Sequence, residues 1–273
     1  MLSKEQSKPI ALSIAGSDPS GGAGIQADIK TFHSLGVHAL TAVTCITSQV
    51  PGKVLNIEPV SIKSLKSQID ILFSEYPISA IKTGLLFSSE LIEALLSSLD
   101  DNNSEVPLIV DPVMVSSSGT QLLNRDALTL YVEELIPRST LYTPNLSEAA
   151  TLLDIKPEDI ENPSESAHLL YKKYGTPVLL KGGHFRSTSA TDFLVDETGI
   201  TSFSKPFSKK TPAHGTGCTY SASICGCMAK GLNLHDSILK SKDYVTQTIT
   251  QSFELTSGHF SLNHDTRSYN PTQ

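Results

Sequence analysis

Cysteine is scarce and poorly spaced for crosslinking: the four in this 273-residue chain, at positions 45, 218, 225 and 227, suggest neither a disulfide framework nor a zinc knuckle. Cys225 and Cys227 stand two residues apart, which on a helix turns the side chains to different faces, so they read as small core residues. Cys45 lies in the β-branched run Val43-Thr44-Cys45-Ile46-Thr47 and reads as a strand core residue. Basic clusters are missing too. A formal net charge of −7 argues against a nucleic-acid footprint and favours a small-molecule partner. No apolar run approaches a membrane span, and the polar Met1–Lys8 lacks the stretch of a signal peptide, so the expectation is a cytoplasmic protein without a membrane partner. Neither GxGxxG nor GxxxxGKS/T occurs, which leaves out the dinucleotide fingerprint and the Walker phosphate loop.

What is present is an ordinary composition, 39% hydrophobic and 18% charged, in a chain long enough for one large α/β domain. Apolar strand candidates at Ile10–Gly16, Leu40–Thr47, Ile78–Lys82, Leu108–Val110, Leu141–Thr143 and Val178–Lys181 alternate with helical patterns at Ser61–Tyr76, Ser89–Leu99, Asp126–Leu135 and Ser164–Tyr174. That alternation predicts a mostly parallel sheet covered by helices. Thr191–Val195 and Thr201–Phe203, joined by Asp196-Glu197-Thr198-Gly199, predict a small hairpin at the sheet edge, and two helices follow at about Thr219–Lys230 and Leu234–Phe253. The single domain is expected over 9–263, with flexible tails at 1–8 and 264–273.

Two glycine-rich turns carry the chemical signal. In Ala213-His214-Gly215-Thr216-Gly217-Cys218-Thr219 the glycines let backbone N–H groups point inward ahead of an apolar helix, forming an anion nest at a positive helix end. The same field is expected to lower the Cys218 thiol pKa and make it a base or nucleophile; a structural cysteine before a packed helix is the alternative. Ser17-Asp18-Pro19-Ser20-Gly21-Gly22-Ala23-Gly24 follows the first strand and precedes a helix with Ile25, Ile29, Phe32 and Leu35 expected on one face. Strand, glycine turn and helix N-terminus is the geometry in which α/β proteins hold ligands. Asp111, Asn145, Glu148 and Lys181 fall at or just beyond predicted strand ends, where each could also be a cap or turn residue.

Ala15 to Asp28 (AGSDPSGGAGIQAD), Lys82-Thr83-Gly84, Asp111-Pro112-Val113-Met114, Thr143-Pro144-Asn145, Glu148-Ala149, Lys181-Gly182-Gly183-His184 and His214 to Thr219 (HGTGCT) together resemble the hydroxymethylpyrimidine and phosphomethylpyrimidine kinases of thiamine synthesis, in the ribokinase-like superfamily. The resemblance implies a ribokinase-like fold, ATP and Mg²⁺ as cofactors, and a homodimer. By position it implies that Ala23, Gln49, Val113 and Cys218 surround the pyrimidine and that Asp28 is a family aspartate near that pocket. It likewise implies that Asp111, Asn145 and Glu148 lie near magnesium and the ATP phosphates, with Glu148 and Asp111 as the metal carboxylates. Lys181 and Thr216 match nucleotide-side positions, and Gly215, Gly217 and Cys218 match the anion hole. Two departures stand out: Gln49-Val50-Pro51-Gly52-Lys53-Val54 is shorter than the usual flap, and Leu85 replaces a methionine. A pyridoxine or pyridoxal kinase and a non-catalytic pyrimidine-binding protein are the alternative functions.

Overall fold

The computed structural model describes residues 8–102, 104–114, 123, 125–183, 189–207, 214–256 and 258–266. The first strand, β1 (Ile10–Ser17), leads to α1 (Gly24–Ser34), then β2 (His38–Val50) and β3 (Lys53–Pro59), which form a hairpin with each other. The chain then crosses back through α2 (Ile62–Glu75) to β4 (Ala80–Thr83) on the far side of β1. From there α3 (Ser89–Asp101), β5 (Leu108–Val110), α4 (Arg125–Leu130), a π-helical turn at Tyr131–Leu135, α5 (Ile136–Arg138) and β6 (Leu141–Tyr142) continue outward. They are followed by α6 (Leu146–Leu153), α7 (Pro163–Tyr174), β7 (Val178–Lys181) and the hairpin β8 (Ser189–Asp196) and β9 (Gly199–Pro206). The chain closes with α8 (Thr216–Ala229), α9 (Leu234–Thr250) and a separate two-stranded sheet of β10 (Phe253–Thr256) and β11 (His259–Ser261).

The nine-stranded sheet runs β3-β2-β1-β4-β5-β6-β7-β8-β9, parallel from β2 to β7 and antiparallel at both edges. Alternation along the strands sends side chains to two cores. Leu12, Ile81, Val110 and Leu180 pack under α2, α3, α6 and α7, whereas Ala11, Ala80, Ile109 and Leu179 pack under α1, α8 and α9. Cys45, Cys225 and Cys227 are buried, and Gly226 lies against Phe32 and Leu35, where a methyl group would press on Phe32 at 3.3 Å.

Several expectations need correction. Ile29 is 40% exposed, and the inner face of α1 is formed instead by Ile25, Ala27, Asp28, Thr31 and Phe32. The predicted Asp126–Leu135 helix is interrupted by the π turn. The segment read as a loop at 49–54 is the end of a hairpin, with Gln49 paired to Val54 and Val50 to Lys53 around Pro51-Gly52. The final helix stops at Thr250, before Phe253 opens β10. His264, where the sequence reading begins a tail, is buried and meets Thr219 Oγ1 through Nε2 at 3.0 Å. Residues 1–7 and 267–273 of the expected tails, and His184 and Ala213 of the motifs, lie outside the described residues.

One polar cluster is built into the α1-side core. Lys82, fully buried on β4, places Nζ 3.1 and 2.9 Å from the two carboxylate oxygens of Asp28, and Ser13 Oγ donates to the same carboxylate at 2.5 Å. Burial alone would strip the charge from Lys82, but Asp28 holds it protonated. Removing one partner strands the other in a dry core. Lys82→Met is therefore expected to cost about 3–5 kcal/mol in urea unfolding, with the Asp28→Asn/Lys82→Met double variant recovering most of the loss. A double variant no more stable than the single one would show that the pair is not the source of the effect.

Candidate active site

Strand order reverses between β1 and β4, so a crevice opens outside their carboxyl ends, and the ends of β5, β6 and β7 extend it. The turn after β1 is organised by Asp18. Its carboxylate accepts from Ser20 N (2.9 Å), Ser20 Oγ (2.8 Å), Gly22 N (3.2 Å) and Ala23 N (2.8 Å), and faces His214 Nε2 at 3.0 Å. Partial burial pushes the other way, but these bonds hold Asp18 well below the usual carboxylate range. Gly215, at φ 86°, lies so close to this turn that a Cβ would stand 1.7 Å from Gly22 O. Gly24, at φ 57°, is equally constrained, its Cβ falling 2.3 Å from Gly16 O. The N-termini of α1 and α8 thus converge on one place, lined by backbone N–H groups.

Two cavities meet there. The first, about 460 Å³, is enclosed by the β1–α1 turn, the β2–β3 flap and the strand ends. The second, about 470 Å³, lies between the β8–β9 hairpin and the helices α8 and α9. Asn145, Ser147, Lys181 and Gly217 belong to both and form the wall between them. Ala23, Gln49, Val113, Asp111, Glu148, Gly215 and Cys218 line the first cavity, and Thr216 lines the second. Leu85 and the flap residues Val54 and Ile57 also face the first cavity. Asp28 does not line the first cavity: it is fully buried behind it, engaged with Lys82 and Ser13, and its place is in the floor.

The charges are arranged around the shared wall. Lys181 Nζ is 3.0 Å from Asp111 Oδ1, and Ser221 Oγ donates to Asp111 Oδ2 at 3.1 Å. Burial works against ionising Asp111, yet Lys181 and Lys82 keep its carboxyl below the ordinary range. Asn145 is the N-cap of α6 as its sequence position allowed: its Oδ1 accepts from Glu148 N at 2.9 Å, and Glu148 Oε2 accepts from Asn145 N at 2.8 Å, completing a capping box. Burial raises Glu148 to about 7, with Lys181 opposing and Asp111 adding to the shift. A buried carboxylate short of positive charge, beside a second one, is a hard-oxygen donor pair that suits Mg²⁺ shared with ligand phosphates. Among the described residues no cluster of three or more His, Cys, Asp and Glu forms a closed metal cage.

Cys218 departs from expectation. Burial pushes its thiol up to about 11, although Lys82 and the Gly24 N–H act in the opposite direction. The helix N-terminus does not outweigh the loss of water, so the resting group is the thiol. Sequence reasoning also assigned no role to Asp18, His214, Ser221 or the Asp192–Lys242 pair. The first two lie inside the quoted motifs, where an Asp at a strand end and a His before a glycine turn were available signals. Lys242 Nζ meets Asp192 Oδ2 at 2.6 Å beside the second cavity, and Asp192 Oδ1 accepts from Gly182 N at 3.2 Å. Fifty residues separate that pair, and nothing in either local pattern links them.

Comparison with known proteins agrees with this geometry. The phosphomethylpyrimidine kinase family model matches residues 18–263. A hydroxymethylpyrimidine/phosphomethylpyrimidine kinase of Bacillus subtilis is 36% identical over 255 residues, covering 93% of this chain and 94% of that protein. The thiamine biosynthesis bifunctional protein ThiED of Geobacter sulfurreducens is 38% identical over 253 residues, and the chain spans about half of its length, 51%. Among solved structures, the ADP complex of a Bacillus subtilis pyridoxal kinase superposes with a TM-score of 0.85 at 29% identity, over 95% of this chain and 98% of that one. With a family match running from the Asp18 turn to the end of the folded core, the chain belongs to the phosphomethylpyrimidine kinase family.

Proposed function

We propose that the chain is an ATP-dependent kinase that phosphorylates 4-amino-5-hydroxymethyl-2-methylpyrimidine and then its monophosphate to the diphosphate, on the way to thiamine diphosphate. The observation that carries this reading is the pair of cavities joined at Asn145, Lys181 and Gly217, in a chain of this family. The pyrimidine occupies the first cavity, against Ala23, Gln49 and Val113, and ATP the second, with its terminal phosphate at the shared wall. Phosphoryl transfer needs positioning and charge neutralisation more than covalent chemistry. The amides of Gly215, Gly217 and Cys218 receive the charge on the transferring group, and Lys181, anchored by Asp111, adds a cation. Mg²⁺, held by Asp111 and Glu148, would neutralise the phosphate oxygens. Cys218 takes the hydroxymethyl proton through its minor thiolate fraction. A cytoplasmic homodimer belongs to the same proposal; among the described residues no helix is long and apolar enough to cross a membrane.

Pyridoxal kinase is the second reading, favoured by the close superposition on a solved pyridoxal kinase. A binding protein without turnover is disfavoured because Asp111, Glu148, Lys181 and Cys218 all line one cavity. Incubation with ATP and hydroxymethylpyrimidine, its monophosphate or pyridoxal, read by mass spectrometry, separates the three: pyrimidine diphosphate, pyridoxal phosphate or no product.

Glu148→Gln removes a charge while keeping the capping box, since glutamine serves the N3 position equally. The Mg²⁺ concentration for half-maximal rate is expected to rise by about tenfold or more in both phosphorylations, with recovery at high Mg²⁺. An unchanged Mg²⁺ titration overturns the assignment.

Because the Cys218 thiol sits near 11, its thiolate fraction grows with pH throughout the assayable range. A hydroxymethyl acceptor must lose a proton, whereas a phosphate acceptor is already anionic above pH 7. The ratio of kcat/KM for the hydroxymethyl acceptor to that for the monophosphate is therefore expected to climb by up to about tenfold per pH unit between pH 7 and 9. Titration of Glu148 affects both steps and cancels in the ratio. In Cys218→Ser the ratio should be flat; a wild-type ratio independent of pH shows that Cys218 only shapes the pocket.

A further inference from the structure

The two loops that converge on the site come from opposite ends of the chain, and a hydrogen bond between two side chains ties them together. Asp18 organises the acceptor-side turn by accepting from Ser20, Gly22 and Ala23, and its Oδ2 also faces His214 Nε2 at 3.0 Å across 196 residues. His214 immediately precedes Gly215, whose backbone presses on Gly22, and the ring edge itself comes within 3.0 Å of a Cβ built on Gly22. Asp18 is 1% exposed and can only accept, so Nε2 carries the hydrogen and donates to it. Both residues line the first cavity together with Gly215, Gly217 and Cys218 at the start of α8.

We propose that His214 is a positioning residue that latches the anion-hole turn to the acceptor turn through Asp18, fixing the acceptor oxygen and the phosphate-binding amides in one rigid frame. The contact crosses between α1 and α8 at the point where no side chain larger than hydrogen fits between Gly215 and Gly22, so the Asp18–His214 bond is a side-chain tie beside a seam of bare backbone. A hydrogen bond to an ionised carboxylate is the strong kind, suited to pinning. An error of about 1 Å between acceptor and anion hole costs roughly a hundredfold in rate.

The kinetic part of the inference rests on the kinase reading, so the test has one arm that does not. In His214→Ala, kcat is expected to fall by about ten- to a hundredfold for both acceptors, with KM for ATP within about threefold of wild type. His214→Gln places an amide N–H near Nε2 and should restore most of that loss. Independently of turnover, the rate at which iodoacetamide alkylates Cys218, followed by peptide mass spectrometry at fixed pH, should rise by about tenfold in His214→Ala and stay near wild type in His214→Gln. Cys45, Cys225 and Cys227 are buried and serve as internal controls. The proposal is overturned if His214→Ala alkylates like wild type, or if His214→Gln is as impaired as His214→Ala, which would assign the ring to the chemistry itself. A wild-type protein that phosphorylates neither pyrimidine, yet shows the expected alkylation pattern, refutes the pyrimidine-kinase reading and leaves the latch standing.

Discussion

A hydrogen atom is all that fits between Gly215 and the carbonyl of Gly22, and the site depends on that contact. It brings the first turns of α1 and α8 together, although one follows the first strand and the other comes two hundred residues later. The packing behind it is correspondingly close: Gly226 admits Phe32 and Leu35, and Asp28 and Lys82 neutralise each other in the layer beneath. Positive helix ends are common in α/β proteins, but two aimed at one cavity demand that the backbones touch.

Sheet topology supplies the rest. The strand order reverses between β1 and β4; Asp18, Gly84 and Asp111 stand just past β1, β4 and β5, Asn145 follows shortly after β6, and Lys181 is the last residue of β7. Their order in space is the order of the strands, so Asp111 and Lys181, 70 residues apart, meet at the ends of their strands. The acid, the amide and the lysine of the shared wall are held by secondary structure, which suits a reaction governed by placement.

β5 and β7 were legible because each is a short apolar run ended by a polar residue, and both fall at the expected residues for this reason. β3 was not, since none of its residues is buried and its pattern carries no alternation. The π turn leaves no trace in composition, and Ile29 shows that an apolar residue at helical spacing need not face inward. In the site, motif positions fixed the lining residues well, because strand ends and glycine turns are local properties. Asp28 lies near the pocket as read, but its pairing with Lys82, 54 residues away, left no local signal. The Cys218 thiol was misjudged because a helix N-terminus is visible in sequence while the desolvation opposing it is a property of the whole fold.

The partition between the cavities, built from Asn145, Ser147, Lys181 and Gly217, serves whatever lies on either side of it. A change in any of these residues alters both cavities at once. Gln49, Val54 and Ile57, by contrast, line the first cavity and sit on the hairpin whose strand β3 forms one edge of the sheet. Rewriting that one hairpin therefore reshapes the first cavity while the partition and the second cavity stay as they are. A scaffold divided in this way can vary what one compartment admits without rebuilding the other.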